Sequence, residues 1–339
     1  MEYRRLGRSG IKLSTISLGT VMWGREVDEP TAQHIADRGR EAGINSIDTA
    51  DAYLGGLSEE VAGRIIKRDR QAWVLGTKLG YAKGSTINDQ GLSRRWIIRS
   101  AEASLKRLGT DYIDIYYFHR EDHDTPLGET IRAIADLVHQ GKILHFGVCN
   151  HRSWRVAEIC NLCDQMSIDR PIVGQQNYNI VNRQPEVELI PACSYYGLGL
   201  MAYSPLARGI LTGKYLPESA PPEGSRAARG DRRISSEWRN ESMIVAQELK
   251  SHAESRGITP GQFAISWLLN SSIVSSVLAG PRTMEQWENY LGALDYDFTS
   301  DDEALVDRLV TTGHCSTPGF NDPEYPVEGR SAFVRPANV

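Results

Sequence analysis

The chain has 339 residues, 40% of them hydrophobic and 24% charged, a composition that excludes disordered and collagen-like classes and supports a core needing no disulfide or metal staple. A balance of 38 Lys and Arg against 43 Asp and Glu gives a formal charge of −5, so no global basic field draws in nucleic acid or an anionic membrane. Five scattered cysteines do not make a secreted disulfide framework, and MEYRRLGRSG has no apolar signal core, so the expectation is a soluble cytoplasmic protein.

From the N-terminus, Tyr3–Ser14, with Gly7, Ser9 and Gly10 at its middle, predicts a β-hairpin. Short apolar, β-branched runs then predict strands at Thr15–Gly19, Ser46–Asp51, Trp73–Lys78, Tyr112–His119, Ile143–Asn150, Ile172–Asn177, Leu198–Ser204 and Val274–Gly280. Each lacks polar alternation, as strands buried on both faces do. Helical periods alternate with them: Glu59–Arg68, Trp96–Leu108 stopping at Gly109, Leu127–Gln140 stopping at Gly141, and Trp154–Met166. Eight such units suit either an open doubly wound sheet or a closed (β/α)8 barrel. Units of similar length without a linker favour the TIM barrel, read as one domain over 1–339 with an N-terminal hairpin and an extra C-terminal segment. Two stretches break the rhythm. The Pro-, Gly- and Arg-rich loop 216–236 follows the seventh strand, and a Pro-containing tail runs over 312–339.

Barrel catalysis gathers at the C-terminal ends of strands. Those ends supply Asp48, Asp51 and Tyr53, then Lys78, His119 with Arg120, Cys149 with Asn150, Gln175 with Gln176, and Tyr203 with Ser204. Any one of them is more ordinarily a helix cap or a packed side chain. Their succession on one face is what points to chemistry. Cys160 and Cys163 form a C-x-x-C inside a helical stretch with no second pair, which reads as two structural thiols, semi-buried. Arg226, Arg229, Arg232 and Arg233 cluster in the long loop, where a solvated, mobile segment is the first expectation and a phosphate clasp the second.

The stretches GINSIDTADAY (Gly43–Tyr53), VLGTKLG, YIDIYYFHR, GVCN (Gly147–Asn150), QQNYN (Gln175–Asn179), YSPLARGILTGKY (Tyr203–Tyr215) and VLAGPRTMEQWENYLGAL (Val277–Leu294) together resemble the aldo-keto reductases. They do so in family order over nearly the whole chain. The resemblance implies an NADPH- or NADH-dependent barrel oxidoreductase that reduces carbonyl groups, and no GxGxxG follows the first strand. It places the catalytic tetrad on Asp48, Tyr53, Lys78 and His119. Reducing a carbonyl requires a general acid beside the developing alkoxide. A tyrosine of pKa about 10 is a poor acid–base at neutral pH, and a neighbouring ammonium such as Lys78 is expected to pull that pKa down; Asp48 would hold Lys78, and His119 would orient the carbonyl oxygen.

The same resemblance assigns cofactor contacts to Gly19, Thr20, Asp48, Asn150, Gln175, Tyr203, Ser204, Leu206, Gly209, Gly280, Arg282, Gln286 and Asn289. Cys149 stands where relatives usually carry Ser. GPRTMEQWENY departs from the usual adenosine-end pattern, leaving Arg282 as the substitute partner for a 2′-phosphate. Trp23, Tyr81, Phe320 and Tyr325 are candidates for the substrate wall, the last two because the family's terminal segment often drapes across the mouth. Two other functions stay open. One is a cofactor-holding regulatory subunit like those of potassium channels, which the lack of an N-terminal channel-partner extension disfavours. The other is a Schiff-base aldolase using Lys78. The expected partner is a small carbonyl compound, with no nucleic acid or membrane; monomer and homo-oligomer are both open.

Overall fold

A computed structural model describes residues 1–230, 234, 236–325 and 327. The hairpin forms as expected, β1 (Tyr3–Arg5) antiparallel to β2 (Lys12–Ser14) with Tyr3 opposite Ser14. Its Leu6 and Leu13 bury completely against Ile115, Val173 and Met201, flooring the barrel interior. At the turn, Gly7 has φ of +54°, and a Cβ there would meet the Ile172 carbonyl oxygen at 2.3 Å. Only glycine fits that approach.

Eight parallel strands close the barrel: β3 (Ile16–Gly19), β4 (Ser46–Asp48), β5 (Val74–Leu79), β6 (Ile113–Phe118), β7 (Ile143–Cys149), β8 (Val173–Asn177), β9 (Gly199–Tyr203) and β10 (Val274–Ala279), with β10 returning to pair with β3. All eight sequence-predicted strands are present. The difference lies at their ends: Asp51, His119, Asn150, Ser204 and Gly280 stand just beyond the ladder, where the chain turns over the barrel mouth. Asn150 (φ 58°) and Ser204 (φ 54°) show why pairing stops there, since a left-handed residue cannot continue a strand.

Around the sheet run α1 (Glu29–Glu41), α2 (Leu57–Ile66), α3 (Arg94–Leu108), α4 (Leu127–His139), α5 (Ser153–Gln165), α6 (Leu189–Tyr196), α7 (Asn240–Ser255), α8 (Pro260–Leu269), α9 (Met284–Leu291) and α10 (Ser300–Leu309). The boundaries follow local chemistry. Ser93 accepts from the Trp96 amide at 3.3 Å to start α3, and left-handed Gly109 ends it. Between them Trp96, Ile97, Ala101, Leu105 and Leu108 form the buried stripe. Cys160 and Cys163 lie on α5 as free thiols. They are fully buried, deeper than the sequence suggested, and burial pushes both up to about 12, which leaves them unreactive. Among the described residues no helix is long and apolar enough to cross a membrane.

Candidate active site

The C-terminal strand ends open on one cavity of ≈ 860 Å³. Asp48 ends β4, and the chain then turns through a short 3-10 segment, Tyr53–Gly56, that brings the Tyr53 ring back over the barrel. Lys78 projects inward from β5 and is wholly buried. Its Nζ donates to Asp48 Oδ1, to the Thr49 carbonyl at 2.7 Å and to the Tyr53 hydroxyl at 3.3 Å. Gln175 Nε2 donates to the other Asp48 oxygen at 3.0 Å. His119 follows β6 and meets the Tyr53 ring edge-on, centroids 5.8 Å apart.

Electrostatics gives each group a state. Burial pulls the Lys78 ammonium down, but Asp48 and Tyr53 outweigh it, so Lys78 ends above its ordinary value and stays charged. Burial pushes the Asp48 carboxyl up, while Lys78 and Gln175 pull it back. Burial, Lys78 and Arg120 hold His119 well below the usual histidine range, so it is neutral and has one N–H to give. Its Nδ1 is buried without a partner among the described residues. Tyr53 departs from the sequence expectation of a depressed pKa. Burial pushes the phenol up to about 12, and the opposing pull of Lys78 is smaller. The ring is half-buried at the cavity wall, and desolvation of a phenolate there outweighs one nearby cation. Tyr53 therefore keeps its proton at neutral pH.

Asp51, also at this strand end, serves a different structure. It packs away from the cavity and accepts from Ser100 of α3 at 3.0 Å, while its Oδ1 has no partner among the described residues. Burial and the nearby Glu59 raise it to about 6. Because the folded value lies above the unfolded one, stability tied to protonated Asp51 is complete below about pH 4 and is lost as pH rises through 6. Asp51→Asn is expected to stabilise the protein by roughly 2–3 kcal/mol near pH 8, with the gain vanishing toward pH 4. Urea unfolding across that range measures it, and a gain independent of pH would contradict the assignment.

The remaining walls come from the later strands. Asn150 donates to the His119 carbonyl at 3.1 Å and accepts from the Tyr203 hydroxyl at 2.7 Å. Cys149 Sγ lies 3.2 Å from Asn150 Nδ2 and 3.7 Å from Gln175 Oε1. After β9, Ser204, Ala207, Arg208 and Gly209 all adopt positive φ, a tight turn along the cavity. Beyond it Lys214, Arg226 and Arg282 crowd together: after burial, repulsion from Arg282 and Arg226 lowers Lys214, and repulsion from Arg229 lowers Arg282. Crowded cations at a cavity wall suit an anionic ligand.

A family model for the aldo/keto reductase family matches residues 15–311. The chain belongs to the aldo/keto reductase family. Among its relatives, a protein of Arabidopsis thaliana named "Probable voltage-gated potassium channel subunit beta" is 35% identical over 301 residues, 87% of this chain and 92% of that protein. A protein of Oryza sativa subsp. japonica with the same name is 35% identical over 302 residues, with the same two coverages.

Within this aldo/keto reductase barrel, Asp48, Tyr53 and His119 line the cavity and Lys78 stands directly behind Tyr53. Gly19, Thr20, Asn150, Gln175, Tyr203, Ser204, Leu206, Gly209, Gly280, Arg282, Gln286 and Asn289 also line it, as do Tyr81 and Tyr325, whose hydroxyls are 3.4 Å apart. Two substrate-wall candidates do not. Trp23 is 1% exposed and belongs to the core between barrel and helices; its apolar neighbours Val21 and Met22 face the cavity instead. Phe320 lies under the Arg239 guanidinium, 3.9 Å from ring centre to Cζ, and borders a separate small cavity. Its ring is claimed by a cation before the tail reaches the mouth.

Most of the described part of the long loop, Arg229 included, is exposed as expected, with exceptions. Ser225 is buried and Arg226 lines the cavity, while Arg232 and Arg233 fall outside the described residues. Sequence reasoning missed Lys214, Lys250 and Glu324 in the lining. Lys214 lay inside the quoted GILTGKY motif, which was a usable signal. Glu324 sits in a tail without periodicity, and nothing local marks it.

Proposed function

We propose that this protein reduces an aldehyde or ketone to an alcohol with NADPH, Tyr53 acting as the general acid. The observation that carries the reading is the Tyr53 hydroxyl. It keeps its proton, opens on the cavity and stands 3.3 Å from a charged lysine. A carbonyl oxygen beside it would accept that proton as negative charge develops, and Lys78 would stabilise the phenolate left behind. Neutral His119 would donate to the same oxygen and fix its direction. Asp48 keeps Lys78 charged and in place, and is a positioning residue.

The cavity fits the dinucleotide. Asn150 and Gln175 offer amide groups to a carboxamide, and the Tyr203 ring offers a flat face. The positive-φ turn Ser204–Gly209 admits close backbone approach to a pyrophosphate. Lys214, Arg226 and Arg282 supply the cations whose mutual repulsion a phosphate would relieve. When bound, NADPH supplies the hydride.

The deciding test is consumption of NADPH by the purified protein over a panel of aldehydes and ketones, with no consumption when the carbonyl is omitted. A protein inert toward every carbonyl would favour the second reading, a cofactor-holding subunit, which the names of the two plant relatives support. Cofactor choice is tested separately. NADPH is expected to bind roughly tenfold or more tightly than NADH, as one charge-assisted phosphate contact implies. Arg282→Ala is expected to remove most of that difference in fluorescence titrations. Equal affinities in the wild type would refute the assignment.

A further inference from the structure

The cavity gathers its cations on one side, with the carboxylates of Glu254 and Glu285 among them. Lys214, Arg226, Lys250 and Arg282 line it on the side of the loop after β9, together with the Thr259–Gly261 and Arg282–Tyr290 segments. Arg208 also lines it, and interacts with the buried carboxylate of Glu237. Around Tyr53 and His119 the lining is Val21, Met22, Leu54, Tyr81 and Tyr325, with two carboxylates, Asp48, which is paired with Lys78, and Glu324, to which the structure gives no ion pair among the described residues. A second tail carboxylate, Asp322, acts on Tyr203 electrostatically, as Glu324 does on Tyr81. Arg120 is exposed and stacks on Tyr81 at 5.3 Å without joining the lining.

The tail backbone that carries these carboxylates is held in place. The tail is pinned to the barrel by the Arg183 amide to the His314 carbonyl at 3.0 Å, the Ser316 amide to the Val181 carbonyl at 3.1 Å, and Gln184 Nε2 to the Phe320 carbonyl at 2.9 Å. Asp322 Oδ1 then accepts from the Glu324 amide at 3.0 Å, and Tyr325 reaches Tyr81. The Glu324 carboxylate thus stands on the lining of an aromatic pocket, where the nearby cations are Arg208, which faces Glu237 and Tyr203, and the exposed Arg120 over Tyr81.

We infer that the substrate is an aromatic or similarly flat carbonyl compound without negative charge, and that Glu324, supported by Asp322, is the group that rejects anionic carbonyls. This rests on the reductase reading above. Tyrosine faces and Met22 favour a flat apolar body, whereas a carboxylate substrate would enter against like charge at short range.

The test uses three para-substituted benzaldehydes of similar size: the carboxylate, its N-methylamide and the trimethylammonium compound. In the wild type, kcat/KM for the carboxylate should fall at least about fivefold below the amide, with the cation equal to or above the amide, and the gap should narrow with added salt. In Glu324→Gln/Asp322→Asn the carboxylate-to-amide ratio should rise about fivefold; comparing ratios between wild type and variant cancels the intrinsic reactivities of the aldehydes. A wild-type carboxylate turned over as well as the amide, or a ratio unmoved in the variant, overturns the inference. If no aldehyde is reduced, the reductase reading fails instead. The charge rule is then decided by quenching of bound NADPH fluorescence with the three corresponding benzyl alcohols: weaker binding of the carboxylate alcohol, relieved in the variant, supports it, and equal binding overturns it.

Discussion

Tyr53→Phe is expected to lower kcat for carbonyl reduction by roughly 10²–10⁴-fold, the range typical of losing a positioned general acid. The ring stays, so its packing against His119 stays, and Lys78 keeps its bonds to Asp48 and the Thr49 carbonyl. Cofactor affinity should change by less than about twofold, and stability by no more than the roughly 1 kcal/mol of one hydrogen bond. The pH profile separates an acid from a structural hydroxyl. With Tyr53 pushed up to about 12, wild-type reduction should hold its acid form through the neutral and mildly alkaline range, and the variant should show a low rate at every pH. A variant reducing carbonyls at near-normal rate would sink the assignment of Tyr53.

Lys78→Met should have the largest effect on stability, about 3–5 kcal/mol, because it leaves the Asp48 carboxylate buried without its cation. Only the Gln175 bond at 3.0 Å would remain to it. The loss should depend on pH. Burial already pushes Asp48 up, and removing Lys78 removes the main opposing influence. With the folded value above the unfolded one, the stability of the protonated form is complete below the unfolded pKa and is lost as pH rises through the folded one. Denaturant unfolding near pH 4.5 should therefore show a smaller deficit than near pH 7.5. Adding Asp48→Asn to the variant should recover much of the neutral-pH loss. A deficit of equal size at both pH values would mean that packing of the lysine stem, rather than the charge left on Asp48, is what the substitution removes.

The barrel was legible because its signals are local and repeated. Short apolar runs such as Ile113–Phe118, buried at every position, match strands enclosed on both faces, and a Gly after a helical period, such as Gly109, marks the helix end. That polar residues gather at one mouth was legible for a related reason, while the roles given to Asp48, Tyr53, Lys78 and His119 came from the family resemblance. A parallel barrel sends every strand's C-terminus to the same face, so residues far apart in sequence become neighbours by topology. The direction of the Tyr53 shift was not legible, because desolvation depends on every atom enclosing the ring. Nor was the fate of the aromatics. Trp23 and Phe320 have the same composition signal as Tyr81 and Tyr325, yet the first is claimed by the core and the second by Arg239. The course of the tail was equally hidden, since it is set by single hydrogen bonds to Val181, Arg183 and Gln184 that leave no period in the sequence. By itself, then, the sequence determined the succession of strands and helices and which residue types follow each strand, because periodicity is a local property; it favoured closure, which the pairing of β10 with β3 decided. Which of those side chains face the cavity, in what charge state, and beside which carboxylates was decided only by tertiary packing, because burial and electrostatic contact belong to the assembled barrel.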